Sequence, residues 1–111
     1  AETIISGGVN IYPQETDDVL LKHAAVGDVC TVGIPSEEWG EEVRSVVMLK
    51  SPTEDNAAVI QELIAFCRDH LPHFKCPRSI DIVDELPRLP SGKIQRKVVR
   101  APYWEGRKRQ I

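Results

Sequence analysis

The sequence predicts an α+β fold: a small three-stranded sheet with helices packed on it, preceded by a short β-hairpin. Three observations carry this expectation. Residues 56–70 put Val59, Ile60, Leu63, Ile64 and Cys67 on one broad stripe of 3.6-residue period, as an amphipathic helix does. Residues 26–34, 43–49 and 79–83 are short runs rich in Val, Ile or Thr, bounded by Gly, Pro or polar residues, as strands are. Ahead of these, Ile4-Ile5 and Ile11 flank the Gly-rich stretch Ser6-Gly7-Gly8-Val9-Asn10, which reads as a hairpin with a wide loop.

In chain order, the two glycines come first. They let the backbone take positive φ, or let another group approach closely. From Pro13 to about Lys22 a helix is expected. Proline suits its first position, Glu15, Asp17 and Asp18 lie in its early turns and Lys22 and His23 at its end, matching the helix dipole. Thr16, Val19, Leu20 and His23 form its inward stripe. The strands 26–34 and 43–49 follow, with the polar connection Pro35-Ser36-Glu37-Glu38-Trp39-Gly40-Glu41 between them, and their spacing allows an antiparallel pair. Trp39 is a large aromatic in an acidic loop and can cap the edge of a core or face a ligand.

The helix over 56–70 has start signals in Pro52, Thr53 and Asn56 and a stop in Pro72; it should cover one sheet face. Phe74-Lys75-Cys76-Pro77-Arg78 leads into the third strand, in which Ile80 and Ile82 alternate. In Leu86-Pro87-Arg88-Leu89-Pro90-Ser91-Gly92-Lys93, two prolines stiffen the approach, Ser91-Gly92 bends, and Lys93 stands just past the bend. Ile94 and Val98, four apart, suit a short helix after it, and the end of the chain from Pro102 is polar, basic and without period, expected to be loosely held.

At 111 residues the chain is one domain, large enough for a modest core without disulfide or metal. A composition 41% hydrophobic and 28% charged excludes a disordered chain, and no apolar run approaches the roughly 20 residues of a membrane helix. Cys30, Cys67 and Cys76 have no CxxC spacing and no metal spacing with His23, His70 or His73, so no metal site is expected; the odd count suits a reducing cytoplasm. Charge is split: eight Lys or Arg against one Glu from Arg88 onward, six against sixteen acids before it. A basic end of this kind fits a polyphosphate ligand. No aromatic ladder or recognition fold accompanies it, so nucleic acid is not expected as a partner. The start at Ala1, without Met, reads as a piece of something longer.

The Gly92-Lys93 pair is not a phosphate-binding P-loop, because Pro87 stands where that motif needs glycine and Ile94 where it needs Ser or Thr. The string from Leu86 to Arg96 instead resembles the last core motif of the adenylate-forming enzymes, the superfamily of acyl-CoA synthetases, peptide-synthetase adenylation domains and luciferases. Ile4 to Glu15 is similar to the same family's hinge-proximal motif, and Val32 to Glu41 to a third. The three motifs, in the family's order, cover residues 4–97.

The resemblance implies the C-terminal, mobile domain of an acyl-CoA synthetase over residues 1–101, followed by a basic tail over 102–111. Lys93 is then the catalytic residue of adenylate formation. Gly7, Gly8, Trp39, Phe74 and Arg78 are the coenzyme A residues, with Lys75 behind them; Gly8 gives the thiol room to pass, and Trp39 lies near the adenine. Cys76 stands where relatives often carry a basic residue, so one phosphate contact is absent. ATP and Mg²⁺ are expected on an N-terminal ATP- and acyl-binding domain of the same polypeptide, with a carboxylic acid as substrate and no transmembrane segment. The hinge residue falls at or before Ala1. Two alternatives stand beside this: an adenylation domain serving a carrier-protein phosphopantetheine, and a non-enzymatic basic-tailed interaction module.

The chemistry explains why a lysine is wanted. Carboxylate and ATP are both anions, and an ammonium reaching both offsets their repulsion and aligns the attack. Thioester formation then needs a clear path for the thiol. Rotation of the domain would take the lysine out and bring the coenzyme A surface in.

Overall fold

The computed structural model describes residues 2–107. Its strands are β1 (Ile4–Ser6), β2 (Val9–Ile11), β3 (Val26–Ser36), β4 (Gly40–Leu49) and β5 (Ser79–Ile82); its α-helices are α1 (Pro13–Leu20), α2 (Asn56–His70) and α3 (Arg96–Arg100). The class is α+β, as the sequence predicts, but the sheet has five strands where three were expected. β4 is its central member. It pairs antiparallel with β3 from Ser36↔Gly40 to Val26↔Leu49 and parallel with β5 from Arg44↔Ser79 to Val47↔Ile82. The hairpin β1–β2 joins the same sheet through Ser6↔Gly40. A hairpin cannot bury its apolar side alone, and here Ile4, Ile11 and Val43 close into one buried cluster.

The hairpin turn is tighter than the wide loop expected. Gly7 and Gly8 alone make it, with φ of +57° and +80°, the positive values at both central positions that a two-residue type I′ turn requires. β3 and β4 likewise run further into their connection than the sequence pattern predicts, leaving only Glu37, Glu38 and Trp39 between them. Pro35 is tolerated in β3 because, among the described strands, β3 pairs only with β4, so its outer edge needs no N–H.

Both sheet faces are covered, not one. On the first, Val29, Val47 and Ile80 meet Val19 and Leu20 of α1 and Leu63 and Cys67 of α2. α2 has the bounds its period predicts, and its cap is Asp55, whose Oδ1 accepts from the Ala58 amide at 3.0 Å. α1 ends at Leu20, because Lys22 and His23 donate to the carbonyls of Val19 and Leu20, a tightened last turn. On the second face, Cys30, Val32, Ile34 and Val46 are covered by Val83, Leu86, Ile94, Val99 and Tyr103.

Val99, not Val98, is the inward residue of α3; Val98 is 53% exposed. Ile94 is bridged to Arg88 in extended backbone and the helix starts only at Arg96, so counting four residues on from Ile94 misses the inward position. The chain from Pro102 is not loose where it is described. Ala101–Trp104 form a 3-10 turn, the Tyr103 hydroxyl donates to Asp81, and the Trp104 indole donates to the Gly33 carbonyl at 2.8 Å. Two aromatic polar tips, not a hydrophobic period, fasten it. Residues 108–111 and Ala1, with the hinge expected at or before it, lie outside the described residues.

Candidate functional site

Lys93 sits on a second, miniature hairpin. The Leu89 amide donates to the Lys93 carbonyl at 2.9 Å, the Gly92 amide to the Leu89 carbonyl at 2.8 Å, and the Gln95 amide to the Pro87 carbonyl at 3.0 Å. Gly92, at φ +91°, makes the bend. The Lys93 side chain is exposed, and among the described residues its ammonium has neither hydrogen bond nor ion pair.

Side chains from distant parts of the chain hold this hairpin down. The Arg88 guanidinium meets both oxygens of Asp28 on β3, Nε to Oδ2 at 2.9 Å and Nη2 to Oδ1 at 2.6 Å, and its Nη1 donates to the Gly92 carbonyl. Burial alone would raise the Asp28 carboxyl, but the Arg88 fork and the Val29 amide outweigh it and hold the group below its usual 3.8. Three residues beyond Lys93, Arg96 is drawn inward. Its Nη1 donates to Asp17 Oδ2 at 3.0 Å and to the Thr31 carbonyl at 2.7 Å, while the Thr31 amide donates to Asp17 Oδ1 at 2.7 Å. Glu2 adds a looser ionic contact to Arg96 at 3.5 Å. Here burial wins: it raises the Asp17 carboxyl above 3.8 despite Arg96 and Thr31.

The other candidates converge elsewhere. Gly7, Trp39, Phe74 and Arg78 line one groove of about 490 Å³, walled also by Val9, Val43, Arg68, His73 and Cys76. Trp39 and Phe74 are 39% and 49% exposed, so neither is consumed by the core. The Arg78 guanidinium lies over the Trp39 ring, 5.7 Å from its centre. Gly7 is fitted to Trp39: its amide donates to the Trp39 carbonyl at 2.9 Å, and a Cβ at Gly7 would stand 2.8 Å from the indole Cε3. Gly8 is at the turn beside the groove but does not line it, and a Cβ there would meet nothing within 4 Å. Lys75 is tied back to Glu15 of α1 at 2.8 Å and lies 5.8 Å from the Phe74 ring centre. Cys76 is buried, its thiol facing the Leu71 and Pro72 carbonyls.

Sequence reasoning missed Arg68 and His73 in the groove wall, and Asp17, Asp28, Arg88 and Arg96 as supports of the lysine hairpin. Arg88 and Arg96 stand in the motif string, which was signal enough to mark them. Their partners, 60 and 79 residues away, leave no local trace.

The chain belongs to the AMP-binding enzyme C-terminal domain family, whose model matches residues 15–93. It is similar to the medium/long-chain-fatty-acid–CoA ligase FadD8 of Mycobacterium tuberculosis, 38% identical over 99% of this chain and 20% of that protein. The long-chain-fatty-acid–CoA ligase of Salmonella typhimurium is 39% identical over 89% of this chain and 17% of that protein. Among solved structures, the acyl-CoA synthetase of Brucella canis superimposes with a TM-score of 0.88 at 37% identity, over 95% of this chain and 19% of that one. The chain thus spans about a fifth of the length of the relatives it matches.

Proposed function

We propose that this domain works as the rotating C-terminal part of a cytoplasmic acyl-CoA synthetase, together with an N-terminal ATP- and acyl-binding domain of the same polypeptide. In the first step a carboxylate oxygen attacks the α-phosphorus of ATP, the bond to the bridging oxygen breaks, and pyrophosphate leaves. Lys93, from its hairpin, places its ammonium between the carboxylate and the phosphate and so lowers the repulsion of two anions. In the second step the coenzyme A thiol, after losing its proton, attacks the acyl-adenylate carbonyl and AMP leaves. Trp39 and Phe74 offer flat faces to the adenine, Arg78 offers charge to a phosphate, and Gly7 and Gly8 keep the thiol's path low. Among the described residues no group of three or more His, Cys, Asp or Glu is placed to hold a metal ion. On this reading ATP and Mg²⁺ belong to the N-terminal domain, where the ion would neutralise phosphate charge.

The observation that supports this reading best is that the Lys93 cleft and the groove share no lining residue yet are both fastened to one sheet. One body can then offer two chemistries in turn, but not both at once. In the ligase polypeptide, Lys93→Ala should slow adenylation by orders of magnitude, measured as pyrophosphate release, and leave thioester formation from supplied acyl-adenylate nearly intact. Trp39→Ala with Phe74→Ala should do the reverse, raising the KM for coenzyme A by about 5- to 150-fold if an adenine loses roughly 1–3 kcal/mol of stacking. Equal loss in both half-reactions for Lys93→Ala would refute the assignment. The half-exposed aromatics favour a nucleotide-bearing acceptor over a carrier-protein phosphopantetheine; an unchanged KM in the double variant would reverse that preference.

A further inference from the structure

We propose that Arg88, held by Asp28, is the positioning residue that aims Lys93, an inference that rests on the adenylation role proposed for that lysine. One guanidinium spans three acceptors: both carboxylate oxygens of Asp28 on β3 and the carbonyl of Gly92, the residue immediately before Lys93. It thereby fixes the peptide that sets the direction of the lysine side chain against the sheet, while the Arg88↔Ile94 bridge fixes the peptide after it. The same fork cannot be copied by an ammonium, which lacks its planar spread of donors.

Two features separate positioning from plain structural support. The pair is partly open to water, with side-chain exposure of 42% for Arg88 and 18% for Asp28, so its loss removes little of the stability of the fold. The hydrophobic cover of that face, through Leu86, Ile94 and Val99, does not depend on it. What Arg88 supplies is a link from the sheet to the Gly92 carbonyl, and among the described residues no other side chain is hydrogen-bonded to that carbonyl. Gly92 itself has positive φ and nothing within 4 Å of an added Cβ. Without the link the hairpin tip is free to swing, and a displacement of an ångström at a reacting group is enough to cost about a hundredfold in rate.

The test is made in the ligase polypeptide carrying this domain, with Lys93→Ala run beside Arg88→Met, Arg88→Lys and the shape-conserving Asp28→Asn. Single-turnover adenylation should fall by about 10- to 100-fold in Arg88→Met and Asp28→Asn. Arg88→Lys should lie between them and the parent. Thioester formation from supplied acyl-adenylate, the KM for coenzyme A and the unfolding midpoint should stay within about twofold or a degree or two. If Arg88→Met and Asp28→Asn adenylate at the parental rate while Lys93→Ala does not, the positioning role is overturned and the lysine's role stands. If Lys93→Ala also adenylates normally, the reading beneath the inference has failed. If Arg88→Met and Asp28→Asn lose both half-reactions equally, with a lowered unfolding midpoint, Arg88 is a general structural residue and the proposal is wrong.

Discussion

Gly7 and Gly8 occupy similar backbone positions but are glycines for different reasons. Both have positive φ, where an L side chain costs roughly 1–2 kcal/mol. Only Gly7 also faces a neighbour, the Trp39 indole. Alanine at Gly8 should therefore cost the backbone term alone, whereas alanine at Gly7 should cost more and shift the Trp39 fluorescence; denaturant titration of the two variants separates the terms. The cysteines make a second prediction at this scale. Burial pushes the Cys30 and Cys67 thiols up to about 12, so at pH 8 almost no thiolate exists at either site. Brief iodoacetamide treatment of the folded domain at pH 8 should leave both unmodified by mass spectrometry and alkylate them only after unfolding.

Elements are joined here by charge pairs whose responses to pH oppose each other. Asp28 is held below its usual 3.8, so its bond to Arg88 contributes fully above that value and is lost as pH falls through the lowered one. Asp17 is raised above 3.8, so the folded state keeps its proton longer, and folding loses stability as pH climbs from 3.8 through the raised value. Unfolding curves between pH 2 and 6 should accordingly become less acid-sensitive in Asp28→Asn and lose that decline in Asp17→Asn. Near neutrality Asp17→Ala should cost about 3–5 kcal/mol, because it leaves Arg96 buried without its main counter-charge; adding Arg96→Met should recover part of this. These pairs also mark where sequence reading stopped. α2 was legible to its ends because a 3.6-residue period and a following proline are local signals. Asp17 reads only as an early-turn acid that matches the helix dipole, and nothing within ten residues reveals that Arg96 comes to meet it. That the expected hairpin joins the sheet, and that a second face is covered, escaped for the same reason: the junction is the single long-range pairing Ser6↔Gly40, and α3 begins at Arg96, two residues past Ile94.

The molecule as a whole divides its surface while sharing one frame. Gly7, Trp39, Phe74 and Arg78 were marked by motif resemblance, and the fold brings them to one groove; Lys93, marked the same way, stands apart from it. Because both hang on β4 and its neighbours, damage to the common core should not discriminate. Leu63, fully buried between α2 and the sheet, is a suitable probe. Leu63→Ala should cost about 2–5 kcal/mol and depress adenylation and thioester formation in parallel with the fraction unfolded, unlike any surface variant described above. The Trp104 indole bound to the Gly33 carbonyl has a practical consequence of its own. A recombinant product that stops at Arg100 would lose Tyr103 from the cover over Cys30, Val32, Ile34 and Val46 and leave the Gly33 carbonyl without its indole donor; anyone choosing where to cut this gene should keep the second tryptophan.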